Sequence, residues 1–269
     1  MKTLWYHTNK KIFLPENWDE ITTAQYIRLV QLMHAGIDDI DMKADKALYI
    51  LSGKSLYHFL RMPVGLRARC WEHVLWVFDT ENFVTRQFIP SYKPVFGKRF
   101  YGPAGDLDNV VLAEFHVTET AFHAIVHDAA NAADALHTLI AVLYREAKEK
   151  YDKQRNIDGD VRKPFTGGDI EWYKRKIKRW PLKIQQAILF WYAGCRSSLI
   201  ELYDEAFDKT PAADSNLYAG LFSLIRGIAG GKYGDFEKVE KMFVHAAFME
   251  MVACKREEAE LKAKYPQLA

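Results

Sequence analysis

The chain has 269 residues, 37 basic and 35 acidic side chains, and a formal charge of +2; 49% of it is apolar. So even a balance excludes a dedicated nucleic-acid coat, which needs a clear basic excess, and the apolar fraction excludes global disorder. The three cysteines, Cys70, Cys195 and Cys254, are odd in number, far apart and outside any C-x-x-C, so neither a disulfide framework nor a cysteine-based zinc site is expected. Each reads as a small buried hydrophobe.

The start, Leu4-Trp5-Tyr6 and Ile12-Phe13-Leu14 around a polar turn at Thr8-Asn9-Lys10, predicts a short β-hairpin that Pro15 ends. Neither a signal peptide nor an apolar run of about 18 residues is seen, so no membrane span is expected. The chain is then placed inside a cell unless a larger particle carries it out.

Thr22 and Gln25 fit a capping box, with Ile21 and Tyr26 where a hydrophobic staple needs them. Tyr26, Leu29, Val30 and Met33 follow with helical spacing. Further helices are predicted over 41–52, stopped by Gly53, then over 56–61 and 64–78, the last with Trp71, Leu75 and Phe78 on one stripe. Residues 83–110 are broken by Pro90, Pro94 and Pro103 and by Gly97, Gly102 and Gly105. There Val95-Phe96 and Phe100-Tyr101, either side of Gly97-Lys98, read as a second hairpin or an extended connector.

Beyond Leu112 the pattern is helical. Thr118 is placed to cap a helix reaching about 130, and Leu136, Leu139, Ile140 and Leu143 face the core from the next, which ends near Tyr151. A polar loop over 156–168 follows, then helices over 169–179, 181–207 and 217–228, a turn at Gly230, Gly231 and Gly234, and a last helix over 235–264. The fold class is mainly α: a bundle-like helical body with one or two small β-hairpins in the N-terminal part. The division expected is 1–105 for an N-terminal helical subdomain with hairpins and 106–269 for an all-helical domain; both can pack as one.

Three groupings invite chemistry. Glu119, His123 and His127 recur every fourth residue on one helix face, the residue types of a 2-His-1-carboxylate metal site. They lack the H-E-x-x-H pattern and a further ligand, for which Asp134 and His137 are the neighbours at hand, so no metal and no cofactor is expected. Ser52-Gly53-Lys54-Ser55 resembles the tail of a P-loop, but Leu48 stands where the first glycine belongs; Gly231-Lys232-Tyr233 fails in the same way. Both are read as helix ends, and Asp158-Gly159-Asp160 as a turn, not a calcium loop.

The third grouping is basic and aromatic: Trp172, Lys174, Arg175, Lys176, Lys178 and Arg179, within a stretch whose Tyr173, Ile177 and Trp180 share a core-facing stripe. Its cations face phosphates, an acidic partner or solvent. A solvated face is the simplest reading, and phosphates or an acidic protein partner would suit these cations equally well.

Several phrases together carry a resemblance: Leu14-Pro15-Glu16-Asn17-Trp18 with Ile21-Thr22, Tyr101-Gly102-Pro103, Glu114-Phe115, Ala141-Val142-Leu143-Tyr144-Arg145, Trp191-Tyr192-Ala193-Gly194-Cys195-Arg196, and Gly234-Asp235-Phe236-Glu237-Lys238-Val239-Glu240. In this order they resemble a poorly characterised group of helical proteins of tailed phages and prophages of gut bacteria, whose genes lie among virion morphogenesis genes. The resemblance implies a non-enzymatic role through protein–protein contacts in tail or neck assembly, as a tail assembly chaperone or a virion structural component. Its partners would be other phage virion or assembly proteins, or further copies of itself; nucleic acid and membrane are not expected. It would act in the host cytoplasm, or in the virion as a structural component. The alternative is a DNA-handling or metal-dependent enzyme using the Glu119/His123/His127 face and the 172–180 basic cluster.

Overall fold

In β2 (Lys10–Leu14) Ile12 and Leu14 are buried while Phe13 faces out, the two-residue alternation of a half-buried strand. It pairs antiparallel with β1 (Lys2–His7) in the register Leu4↔Ile12. The computed structural model describes residues 2–7, 10–149, 159–206 and 235–265. The expected turn residues Thr8 and Asn9, the helix over 217–228 and the glycine turn at 230–234 lie outside the described residues. The described chain is mainly α-helical, with this two-stranded sheet and one of three strands. It forms two compact units: residues 1–88 with 181–194, and 89–180 with 195–269.

In the first unit, α1 (Thr23–Met33) opens on the capping box: Thr22 accepts from the Gln25 backbone N–H, and the Gln25 side chain accepts from that of Thr22. α2 (Ile40–Ser52) is capped by Asp39 and ends at Gly53, whose φ of 60° is the left-handed stop that glycine adopts without a Cβ penalty. α3 (Leu56–Leu60) and α4 (Val64–Trp71) follow. The single helix expected over 64–78 breaks at Glu72, and a 3-10 turn covers Leu75–Phe78. Cys70, Val74 and Val77 are buried and Leu75 is exposed, so the buried stripe is not the one expected.

The core of this unit is aromatic. Tyr26 stacks on Phe88 at 4.3 Å and donates its hydroxyl to the Ala187 carbonyl at 2.7 Å. Trp18 lies edge-on to Trp76 at 5.1 Å, and its indole N–H bonds the Asn82 carbonyl. Ala187 belongs to α8 (Leu182–Leu202), whose residues up to 194 count in this unit and the rest in the second.

In the second unit, β3 (Ser91–Tyr92), β4 (Phe100–Tyr101) and β5 (Arg145–Glu146) make an antiparallel sheet with β4 in the middle. Val95 and Phe96, read as part of a second hairpin or an extended connector, lie in the loop between the paired strands β3 and β4. The rings of Tyr92, Phe100 and Tyr144 gather on Trp180 at 4.6, 5.3 and 5.9 Å. α5 (Leu112–His127) packs on α6 (Ala132–Leu143), and α6 on α7 (Ile170–Ile177).

Three expectations are corrected here. Thr118 is not a cap but lies inside α5, donating its hydroxyl back to the carbonyls of Glu114 and Phe115. α6 ends at Leu143, where β5 pairing takes over, rather than near Tyr151. The last helix is divided into α9 (Phe236–Glu240) and α10 (Val244–Lys264). At the break the Met242 carbonyl accepts from Leu112 N–H and the Val244 N–H donates to Val110, at 2.8 and 2.9 Å, so chain pairing displaces the helix. Among the described residues no helix is long and apolar enough to cross a membrane.

Candidate interaction surfaces

The three residues weighed as candidate ligands, Glu119, His123 and His127, share α5 but are not brought together. The rings of His123 and His127 lie 4.4 Å apart, tilted by 45°. Glu119 is turned into the core, where Arg196 Nε lies 3.1 and 2.8 Å from its two carboxylate oxygens. That guanidinium also covers the ring of Phe122. Asp134, a candidate fourth ligand, takes the ammonium of Lys174 at 2.6 Å. Among the described residues no group of three or more His, Cys, Asp or Glu side chains is placed to hold a metal ion.

The basic cluster divides along the helix. Tyr173, Ile177 and Trp180 are buried, as their spacing requires. Lys174, expected among the exposed cations, is buried instead, bonded to Asp134 and to Glu171 at 2.8 Å. Burial works against its charge, but the two carboxylates win and raise its pKa, while the Lys174 hydrogen bond lowers that of Asp134. Lys178 adds a longer pair to Asp134 at 3.7 Å. Lys176 lies over the Trp172 ring at 5.1 Å. Arg175, Lys176, Lys178 and Arg179 thus remain toward solvent, beside a partly exposed Trp172.

The cysteines differ from one another. Cys70 and Cys195 are buried, as expected, but Cys254 is exposed on α10. Burial, with Asp106 nearby, pushes the Cys195 thiol far above its usual range, so it stays protonated and is a poor nucleophile.

The densest charge in the second unit is a group that the sequence did not single out. Glu114 on α5 meets Arg145 Nη2 at 2.5 Å and Arg162 Nη2 at 3.2 Å. Asp160 holds Arg162 from the other side at 2.9 Å. The remaining guanidinium donors reach the backbone: Arg145 to Lys163 and Val142, Arg162 to Leu143 and Asn109. Burial lowers the pKa of Arg145; for Arg162 it is outweighed by Glu114 and Asp160, which raise it. Both stay cationic, since an arginine is not deprotonated in a protein.

This cluster floors a cleft of about 530 Å³. Val117, Phe165 and Phe243 form apolar walls, Glu237 and Glu240 reach it from α9, and Lys148 and Lys241 line it as well. The described residues that line it include no Ser, Thr or Cys. With their donors taken internally, Arg145 and Arg162 fix the loop 159–166 to α5 and α6 rather than present a vacant cation.

Among the described residues, exposed large apolar side chains adjoin one another in the segments 56–64 and 95–96. On the first unit Leu56, Tyr57, Leu60 and Val64 are 54, 62, 61 and 66% exposed, while Phe59 and Met62 of the same segment are buried. Arg61 lies over the Tyr57 ring and bonds its hydroxyl at 2.7 Å. Between Lys46 and Trp71 the sequence has five basic residues and no Asp or Glu. On the second unit the β3–β4 loop carries Val95 and Phe96 at 89 and 92% exposed. The sequence signal for the first surface was the run of apolar residues on both faces of a very short helix. For the second it was an apolar pair beside Gly97 that no strand requires. The chain matches no protein-family model, no curated protein and no solved structure.

Proposed function

We propose that this chain is a non-enzymatic phage protein that works through protein–protein contacts in tail or neck assembly, as a tail assembly chaperone or as a virion component. The observation that carries this reading is the apolar face of α3 and α4. Four large apolar side chains within nine residues are more than half exposed there, and adjacent exposed groups of this kind mark contact surfaces. Full burial of one such side chain against a partner contributes about 1.5–3 kcal/mol. Arg61, over the Tyr57 ring, adds a cation to this face, which suits a partner surface that is apolar with a carboxylate at its edge. The phage setting comes from the resemblance of the quoted phrases.

Leu60→Asp tests it. The residue is exposed, so the purified variant keeps its helical circular dichroism and thermal midpoint. Phage carrying the substitution are expected to yield few finished tails by electron microscopy. Normal tails with Leu60→Asp overturn the reading. Mass spectrometry of purified particles separates its two versions: a virion component is present in them, and a chaperone is absent.

A further inference from the structure

Helical spacing puts Trp172, Arg175, Lys176 and Arg179 on one stripe, at i, i+3, i+4 and i+7. α7 ends at Ile177, but its turn carries on: Arg179 N–H donates to the Lys176 carbonyl at 3.2 Å, and Trp180 N–H to that of Ile177 at 2.8 Å. All four residues of the stripe are exposed. The opposite face is held in the core by Tyr173, Ile177 and Trp180, and the flank toward α6 by the pair of Lys174 with Asp134. The stripe is thus mounted on a buried base, and little has to be ordered when a ligand meets it.

Its charge is unanswered. From Trp172 to Trp180 the sequence has five cations and no carboxylate. Two of the five are taken: Lys174 by Asp134 and Glu171, and Lys178 by Asp134. Arg175, Lys176 and Arg179 make no ion pair among the described residues. Lys176 lies over the Trp172 ring at 5.1 Å, and Tyr173 meets that ring edge-on at 4.9 Å. The indole is still 39% exposed.

We infer that this stripe binds a single strand of nucleic acid, with phosphates on Arg175, Lys176 and Arg179 and a base stacked on Trp172. A nucleotide offers both things the stripe lacks, a negative charge and a flat π-face, and stacking on an aromatic side chain beside a basic track is how single strands are held without sequence preference. Arginine, with its planar fork of donors, suits phosphate oxygens. A duplex answers the cations but keeps its bases inside the stack, away from the indole. An acidic protein answers the cations too, yet its carboxylates are repelled by the electron-rich face of the indole. A membrane needs an apolar helix face to enter it, and that face of α7 is already buried in the core. The near-neutral total charge excludes a coat along a long polymer, but three unpaired cations on one face need no overall excess.

The inference stands apart from the assembly reading, and its test uses the purified full-length chain. Fluorescence anisotropy of a labelled oligothymidylate is expected to show binding at low salt that weakens as salt is raised. Three phosphates at about 0.7 each give a slope of about −2 for log K against log salt. Arg175→Gln with Arg179→Gln leaves one cation and brings the slope to about −0.7. Trp172→Ala weakens binding about tenfold with the slope unchanged, and Trp172→Phe recovers most of that loss, because stacking needs a ring and not a charge. The substituted residues are exposed, so the variants keep the wild-type thermal midpoint closely. No binding at low salt overturns the inference, as does binding that the double arginine variant or Trp172→Ala leaves unchanged. Duplex DNA that binds as tightly as the single strand overturns it as well. So does poly-L-glutamate that displaces the strand as well as unlabelled oligothymidylate at equal charge, which assigns the stripe to an acidic protein, or capture by anionic phosphatidylserine vesicles through Trp172, which assigns it to a membrane. None of these outcomes touches the Leu60→Asp test of tail assembly.

Discussion

Glu114 and Arg145 lie 31 positions apart in sequence and 2.5 Å apart in space, each with a side chain only 3% exposed. A buried pair of this kind gains little over an apolar pair of the same shape, but removing one partner strands the other. Here the removal strands two guanidiniums, because Arg162 shares the same carboxylate. Glu114→Gln keeps the shape and removes the charge. It is expected to cost about 3–5 kcal/mol in urea denaturation. A loss below about 1 kcal/mol, the size of a surface pair, would show that the cluster does not hold the second unit together.

Gly194 makes a different demand. A Cβ there would stand 2.5 Å from the Val84 carbonyl oxygen and 2.7 Å from its nitrogen, both backbone atoms that cannot swing aside. Gly194→Ala is therefore expected to destabilise by about 1–3 kcal/mol or more. Gly65, on the exposed side of α4, has nothing within 4 Å of the same position. Gly65→Ala is expected to gain about 0.5–1 kcal/mol from helix propensity. Equal midpoints for the two variants in thermal unfolding would refute the close approach.

His116, at the cleft, gives a pH dependence with a definite sign. Burial lowers its pKa, against a smaller upward pull from Glu240. In the unfolded chain a histidine titrates near about 6.5. On acidification the unfolded state takes the proton first, so stability is full above that value and falls as pH drops toward the lowered folded one. The thermal midpoint is expected to fall between about pH 7 and about pH 5, and to fall less in His116→Gln. The same slope in both proteins would place the proton uptake elsewhere.

The phrases that carry the phage resemblance contain many of the tightest contacts of the fold. Trp18 is an aromatic hub, and Gly102 lies where a Cβ would be 2.6 Å from the Tyr144 ring. Glu114 and Arg145 form the buried pair, Gly194 abuts Val84, and Arg196 holds Glu119. These residues position the scaffold. The exposed apolar run on which the proposed function rests, Leu56 to Val64, lies in none of the phrases.

The sequence by itself determined the features whose cause is local. Thr22 and Gln25 announce a helix start because a cap acts across three residues, and Gly53 announces an end because φ must turn positive there. The inward stripe of Tyr173, Ile177 and Trp180 follows from helical period alone. Tertiary structure decided everything that depends on a distant partner. The helix break at 241–243 exists because Val110 and Leu112 pair with it, and Lys174 is buried because Asp134 and Glu171 neutralise it. Glu119 has the residue type of a metal ligand, but Arg196, 77 positions away, lies 2.8 Å from its carboxylate. Local spacing specifies which face a side chain occupies, but which charge meets it depends on how elements remote in sequence pack.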